Sequence, residues 1–171
     1  AAGHKTGMLG TIGAVIGEDI TPLPNTTPIS YEVQKHLGRM AEAGCEYCVM
    51  EVSSIGLKDD RVYDLPFALG VFTNFSEDHI GGVEHKDMEE YLACKAMLFT
   101  MCPVGVVNAD DSSTEALLAD STCQVYRYSL NGAGQLRGED CRHLNQPGLL
   151  GVEFQVSGDL NFTAQVGIPG R

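Results

Sequence analysis

The sequence predicts an α/β protein, a mostly parallel sheet flanked by helices with a small antiparallel β-sheet appended at its C-terminal end. Three observations predict it. Short apolar runs that end in polar residues recur over 45–54, 67–74 and 104–111, as strands of a covered sheet do. Helical periodicity fills intervals between them, at 29–43 and 86–101. Beyond residue 130 the pattern changes to strict alternation, as in Val152-Glu153-Phe154-Gln155-Val156, which marks strands with one buried face.

Length and charge bound the rest. The 171 residues suit one domain, with an α/β part over 1–130 and a β-rich part over 131–171. A formal net charge of -12 argues against nucleic acid, since nothing neutralises phosphates in number, and an anionic substrate would need local cations or a metal. No apolar run is long enough to span a membrane as a helix. The six cysteines are scattered; Cys45 and Cys48 form a lone Cys-x-x-Cys without a second ligand pair, so buried reduced thiols are expected rather than disulfides or zinc.

Taken in order, Ala1 to Gly7 carries no initiator methionine and no signal layout, and reads as a helix end with a glycine stop, so the chain is expected to begin inside a larger protein. Gly7 to Gly17 is glycine-punctuated and apolar, a strand and turn or a hairpin. Glu18 to Pro28 reads as loop, with the threonines before Pro28 able to cap a helix. Val33, Leu37, Met40 and Ala41 then recur at helical spacing up to Gly44. Cys45 to Val52 is expected as a buried strand, Leu57 to Pro66 as a charged connection, and Phe67 to Phe72 as a second strand. Asp78 to His85 is a loop on Gly81-Gly82, and Met88, Tyr91, Leu92, Met97 and Leu98 line a helix that ends before Pro103. Val104 to Val107, Gln124 to Ser129 and the alternating runs to Val166 supply further strands, with a short helix over 114–119.

Three strand exits deliver polar groups: Glu51-Val52-Ser53-Ser54, Thr73-Asn74 with Asp78-His79, and Asn108-Ala109-Asp110-Asp111. In one parallel sheet such exits share an edge and converge on a crevice; each taken alone also reads as an ordinary turn. Glu51 and His79 suit a divalent ion near phosphate oxygens, although a histidine after aspartate is commonly a turn residue. Lys95 sits among Leu92, Met97 and Leu98, where lysines usually snorkel to the surface. Gly3-His4-Lys5-Thr6 lacks the spacing of a triphosphate-binding loop.

Together, Asn25-Thr26-Thr27-Pro28, Met50-Glu51-Val52-Ser53-Ser54-x-Gly56-Leu57 with Arg61-Val62, Phe72-Thr73-Asn74 with Asp78-His79, Cys94-Lys95-x-x-Leu98-Phe99 and Asn108-Ala109-Asp110-Asp111 closely resemble the central domain of the Mur ligases. The likeness is nearest to the UDP-N-acetylmuramoyl-tripeptide synthetase (MurE) type. It implies a cytoplasmic ATP-dependent amide ligase of peptidoglycan precursor synthesis. In that chemistry a carboxylate of a UDP-N-acetylmuramoyl dipeptide takes a phosphoryl group from ATP, and a free amino acid displaces phosphate from the acyl phosphate. By the same resemblance Glu51, His79 and Lys95 are the catalytic and magnesium-binding residues, with Lys95 in the place of the family's carbamylated lysine. Thr26, Thr27, Ser53 and Arg61 fall at positions that hold the UDP-muramoyl dipeptide, and Asn108 and Asp111 at a nucleotide-side motif for ATP.

The departures are specific. Ile55 stands where the family commonly has histidine, Asp59 where a neutral amide is common, and the loop from Ile80 to His85 is longer than usual, which weakens any carry-over to His85. The family's phosphate loop would precede Ala1 and its amino-acid-selecting domain would follow Arg171, so a truncated domain that is inert alone is expected. Two other functions stay open: a sister ligase of the folylpolyglutamate or cyanophycin synthetase type, and a non-catalytic Mur-like module that binds a UDP-sugar.

Overall fold

The computed structural model describes residues 3–76, 84–132, 134–146 and 149–167. The chain forms two compact units, Ala1–Pro66 with Glu77–Met101 and Phe67–Ser76 with Cys102–Arg171. The change of sequence character at residue 130 falls inside the second of them.

In the first unit, β1 (Thr6–Gly10) and β2 (Gly13–Ile16) make the hairpin expected of the glycine-punctuated start, with Leu9 opposite Ala14. The stretch expected as loop adds β3 (Asp19–Thr21), antiparallel to β2 with Ile20 opposite Val15. The three prolines that follow mask a strand this short. Helix α1 (Ser30–Glu42) buries Val33, His36 and Met40, the stripe that 3.6-residue periodicity requires. Its N-cap is Ile29, without a side-chain hydrogen bond. The threonines before Pro28 do not cap it; their hydroxyls are used elsewhere.

Strand β4 (Tyr47–Met50) runs parallel to β1, closing the order β3-β2-β1-β4. Cys48 and Met50 pack with Leu9, Ala14, Val33 and Met40, while Tyr47 and Val49 are 57% and 59% exposed. The expected buried strand is therefore buried on one face only, because successive side chains leave an edge strand on opposite sides. Between that strand and the charged connection expected over Leu57 to Pro66 the chain turns at once into α2 (Ser54–Lys58), which takes up the first two residues of the connection. After it, α3 (Met88–Ala96) continues as a 3-10 turn over Met97–Thr100. At its start the Asp87 carboxylate accepts from the Glu90 N–H at 2.8 Å, and the Glu90 carboxylate reaches back to the Lys86 N–H at 2.8 Å.

The second unit is one continuous sheet of β5 (Gly70–Phe72), β6 (Val104–Asn108), β7 (Gln124–Ser129), β8 (Leu136–Gln146), β9 (Leu149–Gly158) and β10 (Phe162–Val166), with the short α4 (Thr114–Leu117) between β6 and β7. Pairing is parallel from β5 through β8 and antiparallel from β8 through β10. The parallel core and the appended antiparallel strands of the sequence reading are both present, with the parallel strands divided over two sheets. Glu153 on β9 lies opposite both Arg142 and Gln165, and both hold its carboxylate.

All six cysteines are free. Cys94 and Cys102 are buried and their thiols are pushed up by that burial. Cys141, against expectation, is exposed: β8 shifts register between Glu139 and Arg142, with Asp140 at φ 52°, and the irregularity turns the thiol outward. Among the described residues no helix is long and apolar enough to cross a membrane.

The exits of β6 and β7 are tied by Asp110, whose carboxylate accepts from the Ser129 hydroxyl and the Leu130 N–H, each at 2.6 Å. The Ser129 bond first, then the Leu130 bond, holds the Asp110 carboxyl below its ordinary range. A depressed carboxylate stabilises the fold above its unfolded pKa, about 3.9, and that contribution disappears as pH falls through the lower folded value. Urea midpoints measured from pH 7 downward should therefore show Asp110→Asn less stable than the parent at neutral pH, with the gap closing below about pH 4. A gap that persists unchanged at low pH would contradict this.

Candidate functional site

Register puts the first polar exit beside the β1–β2 turn. Leu9 pairs with Met50, so the next residues, Gly10 and Glu51, lie side by side. The Glu51 Oε2 accepts from the Thr11 N–H at 2.9 Å and from the Thr11 hydroxyl at 2.7 Å. Thr11 Oγ1 in turn lies 3.1 Å from Thr26 Oγ1. Glu51 Oε1 has no hydrogen-bond partner among the described residues. A Cβ on Gly10 would stand 2.7 Å from Glu51 Cδ and 2.9 Å from Oε1, so only glycine lets the carboxylate rest against the β1 backbone.

Thr27, 0% exposed, holds the next link. Its hydroxyl donates to the Glu51 carbonyl at 3.0 Å and accepts from the Ser53 N–H at 2.8 Å. Ser53 then caps α2, its hydroxyl accepting from the Gly56 N–H at 3.1 Å. Gly56 is pressed against Thr27, where an added Cβ would meet Thr27 Cγ2 at 2.7 Å. Arg61 completes the group. Its Nη1 donates to the Thr27 carbonyl at 3.0 Å and its Nη2 to Asp59 Oδ2 at 2.8 Å. Four of the residues singled out as substrate contacts, Thr26, Thr27, Ser53 and Arg61, are thus gathered around Glu51 in one unit.

Lys95 is reached through the start of α2. Its ammonium lies 4.9 Å from the centroid of the Tyr91 ring, one turn earlier on α3. Tyr91 stacks on His85, with centroids 5.0 Å apart, and His85 Nε2 is 2.7 Å from Ser54 Oγ. Lys58 on α2 meets Glu90 on α3 at 3.3 Å. The hydrogen bond from the Lys86 N–H, before that lysine's contact, holds the Glu90 carboxyl below its ordinary range. His79 and the Gly81-Gly82 loop lie outside the described residues.

Asn108 and Asp111 belong to the second unit, where they meet the Thr73 exit. The Asn108 amide donates to the Thr73 carbonyl at 2.9 Å and its oxygen accepts from the Asp110 N–H at 3.0 Å. Asp111 accepts from the Phe75 N–H at 2.7 Å and from the Ser113 N–H at 2.8 Å. Two of the three strand exits therefore converge, within this unit, and their side chains knit the exits to each other.

Sequence reasoning passed over Thr11, which supplies both bonds to Glu51 Oε2. A signal was present: Thr11 sits in the tight turn Gly10-Thr11-Ile12-Gly13 directly after a strand. What was not legible is that this strand neighbours the one ending at Glu51. As for a metal, the chemistry of a carboxylate with one oxygen held and the other open suits a hard divalent cation. Among the described residues no three His, Cys, Asp or Glu side chains cluster to hold one without further ligands.

A family model for the Mur ligase middle domain matches residues 1–171. The UDP-N-acetylmuramoyl-L-alanyl-D-glutamate--2,6-diaminopimelate ligase of Clostridium perfringens is 44% identical over 99% of this chain and 35% of its own length. That of Clostridium tetani is 38% identical over 90% of this chain and 31% of its own length. The solved structure of a ligase of the same name superposes with a TM-score of 0.83 at 25% identity, over 96% of this chain and 34% of that one. A complex titled FPGS-AMPPCP-folate shares the fold alone, with a TM-score of 0.59 at 15% identity over 92% of this chain and 44% of that one. The chain spans about a third of the length of the curated relatives it matches.

The geometry around Thr27 yields two stability predictions. Thr27→Val keeps the shape and leaves the Glu51 carbonyl and Ser53 N–H without their partner, which should lower the unfolding free energy by about 2–4 kcal/mol. Gly56→Ala forces a methyl into Thr27 and should cost about 1–3 kcal/mol. Denaturant unfolding measures both, and parent-like midpoints would contradict the clamp described here.

Proposed function

The chain belongs to the Mur ligase family, as a middle domain, and we propose that it is the acceptor-side and magnesium-side half of an ATP-dependent amide ligase of peptidoglycan precursor synthesis. The observation that carries this reading is the group assembled on one turn: Glu51 with an open oxygen, Thr26, Thr27 and Ser53 beside it, and the Arg61 guanidinium anchored at Thr27. The acceptor is UDP-N-acetylmuramoyl-L-alanyl-D-glutamate, as in the names of the relatives, and 2,6-diaminopimelate is the amino acid to assay first. Such a ligase works in the cytoplasm, where its nucleotide substrates are made.

In this reading Glu51, with His79 and a carbamylated Lys95, would hold magnesium. Magnesium supplies charge neutralisation between phosphate oxygens and the acceptor carboxylate. Thr11 fixes the Glu51 carboxylate by its Oε2 and leaves Oε1 without a hydrogen-bond partner among the described residues. Arg61 offers its guanidinium to an anionic group of the acceptor. Carbon dioxide adds to the neutral amine of a lysine, and the Lys95 Nζ lies 4.9 Å from the Tyr91 ring centroid. Asn108 and Asp111 are assigned to the nucleotide side through the loop they brace rather than through free polar atoms.

Two measurements on the complete ligase test this reading. Lys95→Ala should lower kcat for ATP-dependent ligation by at least about a hundredfold; unimpaired ligation would overturn the assignment. Asp59→Asn releases the Arg61 fork from a half-exposed ion pair of the kind worth about 0.2–1 kcal/mol, and should lower KM for the UDP-muramoyl acceptor by about twofold to fivefold. A raised KM in that variant would place Asp59 among the residues that bind the acceptor.

A further inference from the structure

His85 is 1% exposed, and its imidazole touches a different element on each side. Nε2 is 2.7 Å from the hydroxyl of Ser54, the first residue of α2, itself 5% exposed. One ring face stacks on Tyr91 at 5.0 Å with the planes 28° apart. Nδ1 is buried and finds no hydrogen-bond partner among the described residues; the Glu90 Oε2 stands off at 3.9 Å. A buried nitrogen left unsatisfied is unfavourable, and a phenylalanine or leucine would fill this space without it. What the imidazole supplies and those residues do not is a directional bond to Ser54 together with a flat face for Tyr91.

We propose that His85 is a positioning residue, which holds the start of α2 and the Tyr91 ring in fixed relation and thereby places Lys95 with respect to Ser53. The contacts form an unbroken series: Ser53 caps α2, Ser54 bonds His85, His85 stacks on Tyr91, and Tyr91 lies beneath the Lys95 ammonium. Among the described residues one ion pair joins these helices, Lys58 with Glu90, which is partly exposed and holds a charge rather than a direction. The buried imidazole is the tie with defined geometry.

The kinetic consequence rests on the ligase reading, whereas the structural one does not. Gln reproduces the reach of Nε2, and Asn that of Nδ1, so His85→Gln should keep the Ser54 bond and His85→Asn should lose it. In NMR spectra of the 171-residue chain, the Lys95 ε-methylene protons should show an upfield ring-current shift from Tyr91. That shift should fall by at least about half in His85→Asn and in Ser54→Ala, and persist in His85→Gln. In the complete ligase, kcat per folded molecule should fall about tenfold or more in His85→Asn and recover to within about threefold of the parent in His85→Gln. A histidine with only a packing role would lower the melting temperature and leave both readouts unmoved. An unchanged Lys95 shift in folded His85→Asn, or His85→Gln behaving as His85→Asn, overturns the proposal. Should His85→Asn not fold, Ser54→Ala cuts the same bond with little change of volume, and an unchanged shift there overturns it equally. A parent enzyme that fails to ligate would remove the ligase reading and leave the NMR comparison to decide the positioning role.

Discussion

The polar end of β4 depends on one buried hydroxyl. Thr27 Oγ1 bonds the backbone on both sides of Val52, donating to the carbonyl of Glu51 and accepting from the N–H of Ser53. A chain leaving a strand toward solvent has unsatisfied backbone groups at each step. Here two of them are satisfied by a side chain from a distant segment, so the chain turns at a defined residue and enters α2 immediately. Glu51 is thereby held at the register where Thr11 meets it, and Ser53 is left with its own hydroxyl free to cap. Arg61 closes the loop from the other side: its N–H bonds the Gly56 carbonyl at 2.9 Å and its guanidinium the Thr27 carbonyl.

In an acidic protein with net charge -12, the cations near such a site are the informative groups. Arg61 and Lys95 are both held by contacts that can be exchanged. The charged partner of Arg61 is the half-exposed Asp59, beside its bond to the Thr27 carbonyl, and the contact of Lys95 is with an aromatic face. Neither tie is strong, by the magnitudes such contacts reach. A cation locked in a buried carboxylate pair would resist an incoming anion, whereas these two can yield to one. Asp59 holds Arg61 Nη2 at 2.8 Å across a partly exposed pair, a contact of the kind that solvent screens.

Much of the fold was legible because its elements are periodic. The stripe Val33, Leu37 and Met40 announced α1, and the alternation Val152 to Val156 announced β9. The failures share a physical cause, which is that burial depends on what lies across from a residue. Cys45 to Val52 has the composition of a strand covered on both faces, yet β4 covers one face only, with Tyr47 and Val49 outward. Cys141 looked like its fellow thiols, but a register shift in β8 exposes it. At the site, Glu51, Thr27, Ser53 and Arg61 were visible as residue types near one another in sequence or motif. Thr11 was not, and His85 stood only as a weak carry-over, since each makes its contact with a segment 40 or 31 residues away that only the pairing of strands and helices creates.

The polar residues at strand exits therefore divide by what they have left to offer. Around β4, Glu51 keeps an open oxygen and Arg61 holds an exchangeable partner. At the exits of β5 and β6, Asn108 and Asp111 turn their side chains inward to Thr73, Phe75, Asp110 and Ser113. Sequence treats the two sets alike, because asparagine and aspartate suit a turn for the same reason that they suit a ligand: short side chains with strong acceptors. The difference appears only when each donor and acceptor is traced to its partner. A carboxylate that receives two backbone N–H groups, as Asp111 does, is already spent on bracing its loop. A carboxylate tied through one oxygen, against a glycine that leaves it room, is oriented and still able to bind, and in this domain that description fits Glu51.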